Sequence, residues 1–256
     1  MSHATTRNRT HRVAADLERM AIAQSSPEPE TDPTAEMMVL IDGAHIRAAH
    51  GCQSRHVDVT VGKIEVTGKP PQRFALAPKG AESPPAALRQ ALREQGWQPG
   101  RSVTVLSDGE AALPGLVRAA VGEPVTTILD CWHISMRVQN IEQAVCGFYA
   151  LDPLHRAGLE MVGWRIGRLR HLIWNSYHQE AHDELFGMRH MASEVAYLNG
   201  EKFRPVVARL LWNCDDLRRY LASNTGSLID YGARYRSKLP ISTSRAEGCV
   251  DEIANA

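Results

Sequence analysis

Three short apolar runs in the sequence are each followed by an aspartate. The runs MMVLI, VTVLS and TTIL come directly before Asp42, Asp108 and Asp130. Apolar runs of four to six residues that end at turn residues are typical of strands buried on both faces of a sheet. In such sheets, polar groups at the carboxyl ends of the strands are where functional sites gather. The sequence therefore predicts an α/β protein with acids along one edge of its sheet.

Each aspartate has two interpretations. Asp-Gly is a common turn sequence, so each acid taken singly is explained equally well as a turn residue. Three carboxylates at one edge of a small sheet would repel one another unless positive charge joined them. Carboxylate oxygens are the ligands that Mg²⁺ and Mn²⁺ prefer, and two such ions activate a nucleophile and stabilise a leaving oxygen in phosphodiester chemistry.

The remaining pattern predicts the order of the elements. HVDVTVGKIEVT alternates as a strand with a bulge or bend at its glycine, and QRFAL is a further strand. SPPAALRQALRE and AALPGLVRAAV have helix start and stop signals, including Ser83 as an N-cap and Gly96 past the first helix. Helical periodicity covers residues 135–151 and 155–222. NTGSLIDYGARYRSKLPISTS is expected to be a loop before a last helix that begins near Arg245.

Composition restricts the class of protein. The 256 residues suffice for one domain with a sizeable core. The formal charge is zero, with 29 basic and 29 acidic residues, so the chain lacks the basic excess typical of strong nucleic-acid binding. No apolar run is long enough to cross a membrane, and a cytoplasmic protein is expected. The five cysteines are scattered and form no C-x-x-C pair, which indicates free thiols: Cys52, Cys131, Cys146, Cys214 and Cys249.

The predicted order βββαβαβα resembles that of the ribonuclease H-like fold, a mixed sheet with a mostly helical insertion before its last catalytic helix. The segments LIDGAHIR, VLSDGEAAL, ILDCWHISMRVQNIEQAV and PISTSRAEG together resemble the catalytic domain of bacterial insertion-sequence DDE transposases. The resemblance is to the ISKra type, which is related to the Mutator-like group. It covers most of residues 37–256, and its motifs lie in the family's order.

The resemblance implies a DNA transposase that cleaves strands and transfers them to target DNA. It implies that Asp42, Asp108 and Glu247 are the catalytic acids and bind two Mg²⁺ or Mn²⁺ ions. Asp130 and His133 match an accessory D/C-x-x-H signature near the site. The implied partners are the transposon ends, target DNA and further copies of the chain, with no membrane.

The same resemblance divides the chain into four parts. Residues 1–36 would be a basic segment and linker, and 37–150 the ribonuclease H-like core. Residues 151–238 would be the helical insertion, and 239–256 the last catalytic helix. Only nine residues follow Glu247, whereas family members are longer. A truncated copy is therefore expected.

The insertion carries further candidates for DNA contact. Five arginines are predicted to meet the phosphate backbone: Arg165, Arg168, Arg170, Arg234 and Arg236. Trp164, Trp174 and Trp212 would stack on unpaired bases, or they belong to the core while the arginines face solvent. In HQEAH, His178 and His182 have a zinc-compatible spacing, but the metalloprotease motif needs Glu directly after the first His. A solvated helix face is the better interpretation, and Glu65 is expected on the surface.

Two other functions stay open. A non-catalytic protein would bind DNA or partner subunits without cutting. A nuclease of the same fold would cut DNA without joining it. Gel shifts without metal-dependent cleavage indicate the first, and products without joined strands indicate the second.

Overall fold

A computed structural model describes the chain over residues 35–47, 56–77, 83–149, 156–199 and 204–243. Every structural statement below refers to these ranges. Within them the protein is α/β, with one mixed five-stranded sheet and seven α-helices.

The sheet has the strand order β3-β2-β1-β4-β5. β1 pairs antiparallel with β2, which pairs antiparallel with β3. β1 and β4 are parallel, as are β4 and β5. The carboxyl ends of β1, β4 and β5 therefore point the same way, as the sequence predicts for the acid-bearing strands. The bounds are β1 Met37–Arg47, β2 His56–Val66, β3 Gln72–Leu76, β4 Val103–Ser107 and β5 Thr126–Leu129.

The first two strands differ from the prediction. β1 does not end at Asp42 but continues to Arg47, because its ladder with β2 stays unbroken from Met37 opposite Val66 to Arg47 opposite His56. The predicted bulge in β2 is also absent from this ladder. The glycine at position 62 is explained by close packing instead of a bulge. A Cβ there would lie 2.4 Å from the Phe74 ring and 2.5 Å from the Leu40 carbonyl oxygen. Only glycine leaves room for that ring to cross the strand.

Two helices cover one face of the sheet. They are α1, Pro84–Glu94, and α2, Ala112–Val121. Their buried residues, such as Leu88 and Val117, join a core with alternate β1 residues such as Val39 and Ile41. Ser83 is the N-cap residue of α1, as predicted, in extended conformation, although its side chain makes no capping hydrogen bond. Gly96 has a φ of +85° just past the helix, as a glycine after a helix end should.

Four long helices cover the other face. They are α3 Cys131–Tyr149, α4 Arg156–Trp174, α5 His178–Asn199 and α6 Arg204–Ser223. α3 contacts α4 and α6, and α5 contacts the same two helices, so the four form a bundle. One core cluster joins them to the sheet, from Leu40 and Leu106 to Leu169 and Leu217. The predicted helical stretch 155–222 is therefore three helices. The break between α4 and α5 contains Ser176, whose φ is +66°.

The predicted loop after α6 contains structure. A 3₁₀ turn spans Thr225–Ser227, and α7 spans Tyr231–Arg236. The Asp230 carboxylate caps α7 by accepting a hydrogen bond from the Ala233 amide at 2.7 Å. This Asp-Tyr-Gly sequence therefore begins a helix. The last predicted helix, near Arg245, lies outside the described residues.

Within the described ranges, every helix is too short or too polar to cross a membrane.

Candidate active site

Asp42 lies in β1, and Asp108 directly follows β4, the parallel neighbour of β1. Leu40 of β1 pairs with Leu106 of β4, and each aspartate comes two residues later. Neighbouring strands are about 4.8 Å apart, so the sheet brings together two acids that are far apart in the sequence.

Both aspartates line one open cavity with a volume of about 470 Å³. Asp58 of β2 and Glu110, which follows β4, also line it. Glu110 is close to β1, since a Cβ at Gly43 would lie 3.9 Å from its Oε2 atom. Sequence reasoning missed these two acids. The available signals were the acid two residues after Asp108 and the polar position in the alternating strand HVDVTV.

The Asp108 turn is held by α6. The Tyr220 hydroxyl donates a 2.6 Å hydrogen bond to the Asp108 carbonyl oxygen, and the Asp108 carboxylate accepts one from the Glu110 amide at 2.9 Å. Gly109 has a φ of +93°, and a Cβ there would lie 2.8 Å from the Asn224 Oδ1 atom. Glycine is therefore required both by the backbone conformation and by the close approach of Asn224. The helical bundle thus fixes the turn that carries the second acid.

Charged side chains surround the Tyr220 ring and hydroxyl. The Arg137 guanidinium lies 4.1 Å from its ring centroid and forms an ion pair with Asp216. Burial raises the pKa of the Tyr220 hydroxyl; Arg137 opposes the rise, while the charges of Asp108 and Asp130 add to it. The hydroxyl therefore stays protonated and remains a hydrogen-bond donor to the turn.

Asp130 has a different environment. It follows Leu129, which pairs with Ser107, so Asp130 lies level with Asp108. Its side chain is 0% exposed and does not line the cavity. One carboxylate oxygen accepts a hydrogen bond from the Trp132 amide at 2.7 Å. The other accepts one from the Thr243 amide at 3.0 Å and one from the Thr243 hydroxyl.

Three further bonds hold the chain between α7 and Thr243. The Cys131 amide donates to the Ile241 carbonyl at 3.0 Å, and the Tyr231 hydroxyl donates to the Leu129 carbonyl at 2.8 Å. Arg234 donates to the Pro240 carbonyl at 2.9 Å. The described chain up to Thr243 is therefore held at the end of β5. Glu247 itself lies outside the described residues.

Neither the scan of family models nor the searches of curated proteins and solved structures finds a match to this chain.

The described residues contain two of the three predicted metal ligands. Carboxylate oxygens of Asp42 and Asp108 fit Mg²⁺ or Mn²⁺ by donor type. Over the described ranges, no group of three or more His, Cys, Asp or Glu side chains is placed to hold a metal ion. The third predicted ligand, Glu247, lies outside the described residues.

His133 lies on the first turn of α3 and is half-buried. Its Nε2 atom is buried and has no hydrogen-bond partner among the described residues. His178, in the other histidine motif, has its Nε2 atom 2.9 Å from the Ser176 hydroxyl. Burial lowers the pKa of His178. No third ligand joins His178 and His182 within the described ranges.

The five arginines that are predicted to contact DNA differ in their ion pairs and in their exposure. Arg165 and Arg168 both pair with the buried Glu184, and Arg170 pairs with Glu142. Arg234 is largely buried against Glu36, Met38 and Pro240, so it is the least suited of the five to reach a phosphate. Arg236 is exposed at the end of α7.

The three tryptophans also differ in their exposure to solvent. Trp164 and Trp212 are each 62% exposed, so the interpretation that places them in the core is wrong. Trp174 packs against the core cluster, with its ring 5.7 Å from that of Tyr235. Glu65 is half-buried and pairs with Lys63 at 2.6 Å.

Proposed function

We propose that this protein is a metal-dependent DNA transposase catalytic domain of the DDE class, with a ribonuclease H-like sheet. Asp42, Asp108 and Glu247 would be its catalytic acids. The proposal includes DNA as substrate, assembly of several copies on DNA, and a cytoplasmic location. The observation that carries it is the placement of Asp42 and Asp108 in one cavity at the carboxyl edge of a mixed sheet.

The strand arrangement supports the fold assignment. An antiparallel β1-β2-β3 unit extended by parallel β4 and β5 is compatible with a ribonuclease H-like sheet. The helical block follows β5, as an insertion before a last acid would. The described chain also returns to the end of β5 at Thr243, four residues before Glu247. This return supports the assignment of Glu247 as the third acid.

The residues of this chain supply oxygen donors in a fixed arrangement. Bound divalent cations would supply Lewis-acid activation of water and charge stabilisation at the scissile phosphate. Asp42 is held on a continuous strand, and Asp108 on a turn that Tyr220 and Asn224 fix. Donors that are already in position need little reorganisation when DNA binds. Glu110 and Asp58 add negative charge to the same cavity.

The test is cleavage of DNA that carries the ends of the element. Inverted repeats that flank the gene would supply those ends on a supercoiled plasmid, with Mg²⁺ or Mn²⁺ added. We expect nicking and joined strands with the native chain, and neither with Asp42→Asn or Asp108→Asn. Asp183→Asn, an exposed carboxylate on α5, is the matched control and should retain activity. Full activity in Asp42→Asn would remove that residue from the site.

A second candidate is a protein that binds DNA or partner subunits without catalysis. Gel shifts without metal-dependent cleavage would support it. Cleavage without joined strands would instead indicate a nuclease.

A further inference from the structure

Arg137 on α3 is a half-buried arginine that contacts two side chains of α6. It donates a hydrogen bond to the Asp216 carboxylate in an ion pair, and its guanidinium lies 4.1 Å from the centroid of the Tyr220 ring. Asp216 and Tyr220 are four residues apart, so they are neighbours on one face of α6. A single guanidinium therefore contacts both side chains.

Tyr220 connects this pair of contacts to the Asp108 turn. Its hydroxyl donates a 2.6 Å hydrogen bond to the Asp108 carbonyl oxygen. Within the turn, the Asp108 carboxylate accepts a hydrogen bond from the Glu110 amide at 2.9 Å, and Gly109 has a φ of +93°. The hydroxyl lies at the far end of the tyrosine ring, so a rotation of that side chain moves it away from the carbonyl. The orientation of the ring therefore decides whether the hydroxyl holds the turn.

We infer that Arg137 is a positioning residue for Asp108 and acts through Tyr220. The inference rests on the proposed function, since it takes Asp108 as a metal ligand. Attraction between the guanidinium and the face of the ring restricts the orientation of the ring, and the ion pair with Asp216 holds the guanidinium in place. Arg137 itself contacts neither the ions nor the DNA in this account.

An arginine suits this position because its guanidinium is planar. It lies against an aromatic face and pairs with a carboxylate at the same time, whereas a lysine ammonium is a compact point charge. Arg137→Gln removes the charge and both contacts. Arg137→Lys retains the positive charge near Asp108 and loses the planar contact with the ring. The two variants therefore separate positioning from a simple effect of charge.

Arg189 of α5 supplies the matched control. It pairs with Asp215 of α6 at 3.4 Å, next in the sequence to the acid that Arg137 uses. Arg189→Gln therefore also removes an arginine ion pair with α6. It should change neither the Asp108 turn nor metal binding.

The first test measures the turn without any activity. Hydrogen exchange of peptides that contain Glu110 is followed by mass spectrometry in the full chain. We expect the Glu110 amide to exchange at least about threefold faster in Arg137→Gln, because the turn opens more often when the ring is less restricted. Tyr220→Phe should have an equal or larger effect, and Arg189→Gln none. Unchanged exchange in Arg137→Gln would overturn the inference. If that variant fails to fold, Arg137→Lys gives the same comparison.

The second test measures whether Arg137 acts on the metal site through the Tyr220 hydroxyl. Mn²⁺ affinity and metal-dependent nicking are measured in Arg137→Gln, in Tyr220→Phe and in the double variant. We expect Arg137→Gln to weaken Mn²⁺ binding and to lower kcat by about threefold to fivefold each, with KM for DNA unchanged. In the Tyr220→Phe background it should cause no further loss, because residues that act as a unit are not additive. Arg137→Lys should resemble Arg137→Gln more than the native chain.

The possible failures are distinguishable. A native chain that neither binds Mn²⁺ nor nicks DNA overturns the proposed function and with it a role of Arg137 at a metal site, while hydrogen exchange still decides whether Arg137 holds the turn. Native affinity and nicking in Arg137→Gln, with faster exchange at Glu110, overturn the positioning role alone. The inference is also overturned by a raised KM for DNA, by native behaviour of Arg137→Lys, or by further loss in the double variant. These results would indicate, respectively, DNA contact, an effect of charge alone, and a role independent of Tyr220.

Discussion

Asp108 and Asp130 occupy equivalent positions in the sequence, but their side chains have different surroundings in the fold. Each follows a buried parallel strand, and the register places them level with each other. Asp108 lines an open cavity together with Asp42, whereas Asp130 is fully buried. The Asp130 carboxylate accepts hydrogen bonds from Trp132 and Thr243, while the Asp108 carboxylate accepts one from the nearby Glu110 amide and its backbone carbonyl accepts one from Tyr220. An acid after a strand is therefore accessible in a cavity or buried among donors, according to which segments return to it.

The largest difference between the two kinds of acid should be in activity. Asp42→Asn and Asp108→Asn are expected to lower DNA nicking on the order of a thousandfold, as is typical when a group that stabilises the transition-state charge is removed. Stability to urea should be unchanged or slightly higher, because like charges at the cavity are relieved. Asp58→Asn is the matched control in the same cavity, with an expected loss below about tenfold. Equal losses of nicking activity in all three variants would indicate that the acids act only through the negative charge of the cavity, and not as specific metal ligands.

The reverse difference should appear in stability. Asp130→Ala leaves two buried amide donors and one hydroxyl without an acceptor, and we expect it to lower the free energy of unfolding by about 3 kcal/mol. The measurement is urea unfolding followed by circular dichroism. Asp108→Ala should change it by less than about 1 kcal/mol, since the Tyr220 bond goes to the backbone carbonyl. A larger cost at Asp108 than at Asp130 would reverse the comparison.

A smaller effect is expected where α6 holds the Asp108 turn. Tyr220→Phe removes the donor to the Asp108 carbonyl and leaves the Arg137 ring contact. The expected cost is about 1–2 kcal/mol in urea unfolding, with a moderate loss of nicking because the turn becomes less fixed. Tyr177→Phe, at an exposed tyrosine, is the control and should change neither quantity. If the two variants behave alike, the hydroxyl does not hold the turn.

The smallest effect concerns Cys131, which follows the buried acid. Burial, and to a lesser degree the Asp130 charge, raises the pKa of Cys131 to about 11, although a bond to Ser135 opposes the rise. The folded state thus favours the protonated thiol. Its contribution is fully present below the unfolded pKa near 9 and is lost as the pH rises toward 11.

The free energy of unfolding of the native chain should fall as the pH rises from about 9 to 10. We expect this fall to be smaller by roughly 1 kcal/mol in Cys131→Ala. Urea unfolding under reducing conditions measures it. Cys146→Ala, at an exposed thiol, is the control and should leave the slope as it is. A slope that does not depend on Cys131 would contradict the burial argument.

The sheet was predictable because its signals are local. Apolar runs and strand alternation indicate the five strands, and capping and glycine signals indicate α1 and α2. The path of β1 beyond Asp42 was not predictable, because an Asp-Gly pair favours a turn unless a partner strand continues beside it. Gly62 gave a bulge signal whose real cause is the Phe74 ring, a contact between strands.

The candidate site was predictable only where strand order determines it. Asp42 and Asp108 come together because β1 and β4 are neighbours. The roles of Asp130 and Tyr220 depend on contacts across more than a hundred residues, which a single sequence does not reveal. The ion pairs of the arginines were not predictable for the same reason, since Arg165 and Arg168 pair with the buried Glu184 of another helix.

The most direct measurement of the central claim is Mn²⁺ binding to the full chain by titration calorimetry. If Asp42 and Asp108 share divalent ions with Glu247, the native chain binds Mn²⁺, and Asp42→Asn, Asp108→Asn and Glu247→Gln each weaken binding at least about tenfold. Asp183→Asn should bind as the native chain does. Mn²⁺ affinity that is the same in the native chain and in Asp42→Asn and Asp108→Asn would contradict the account.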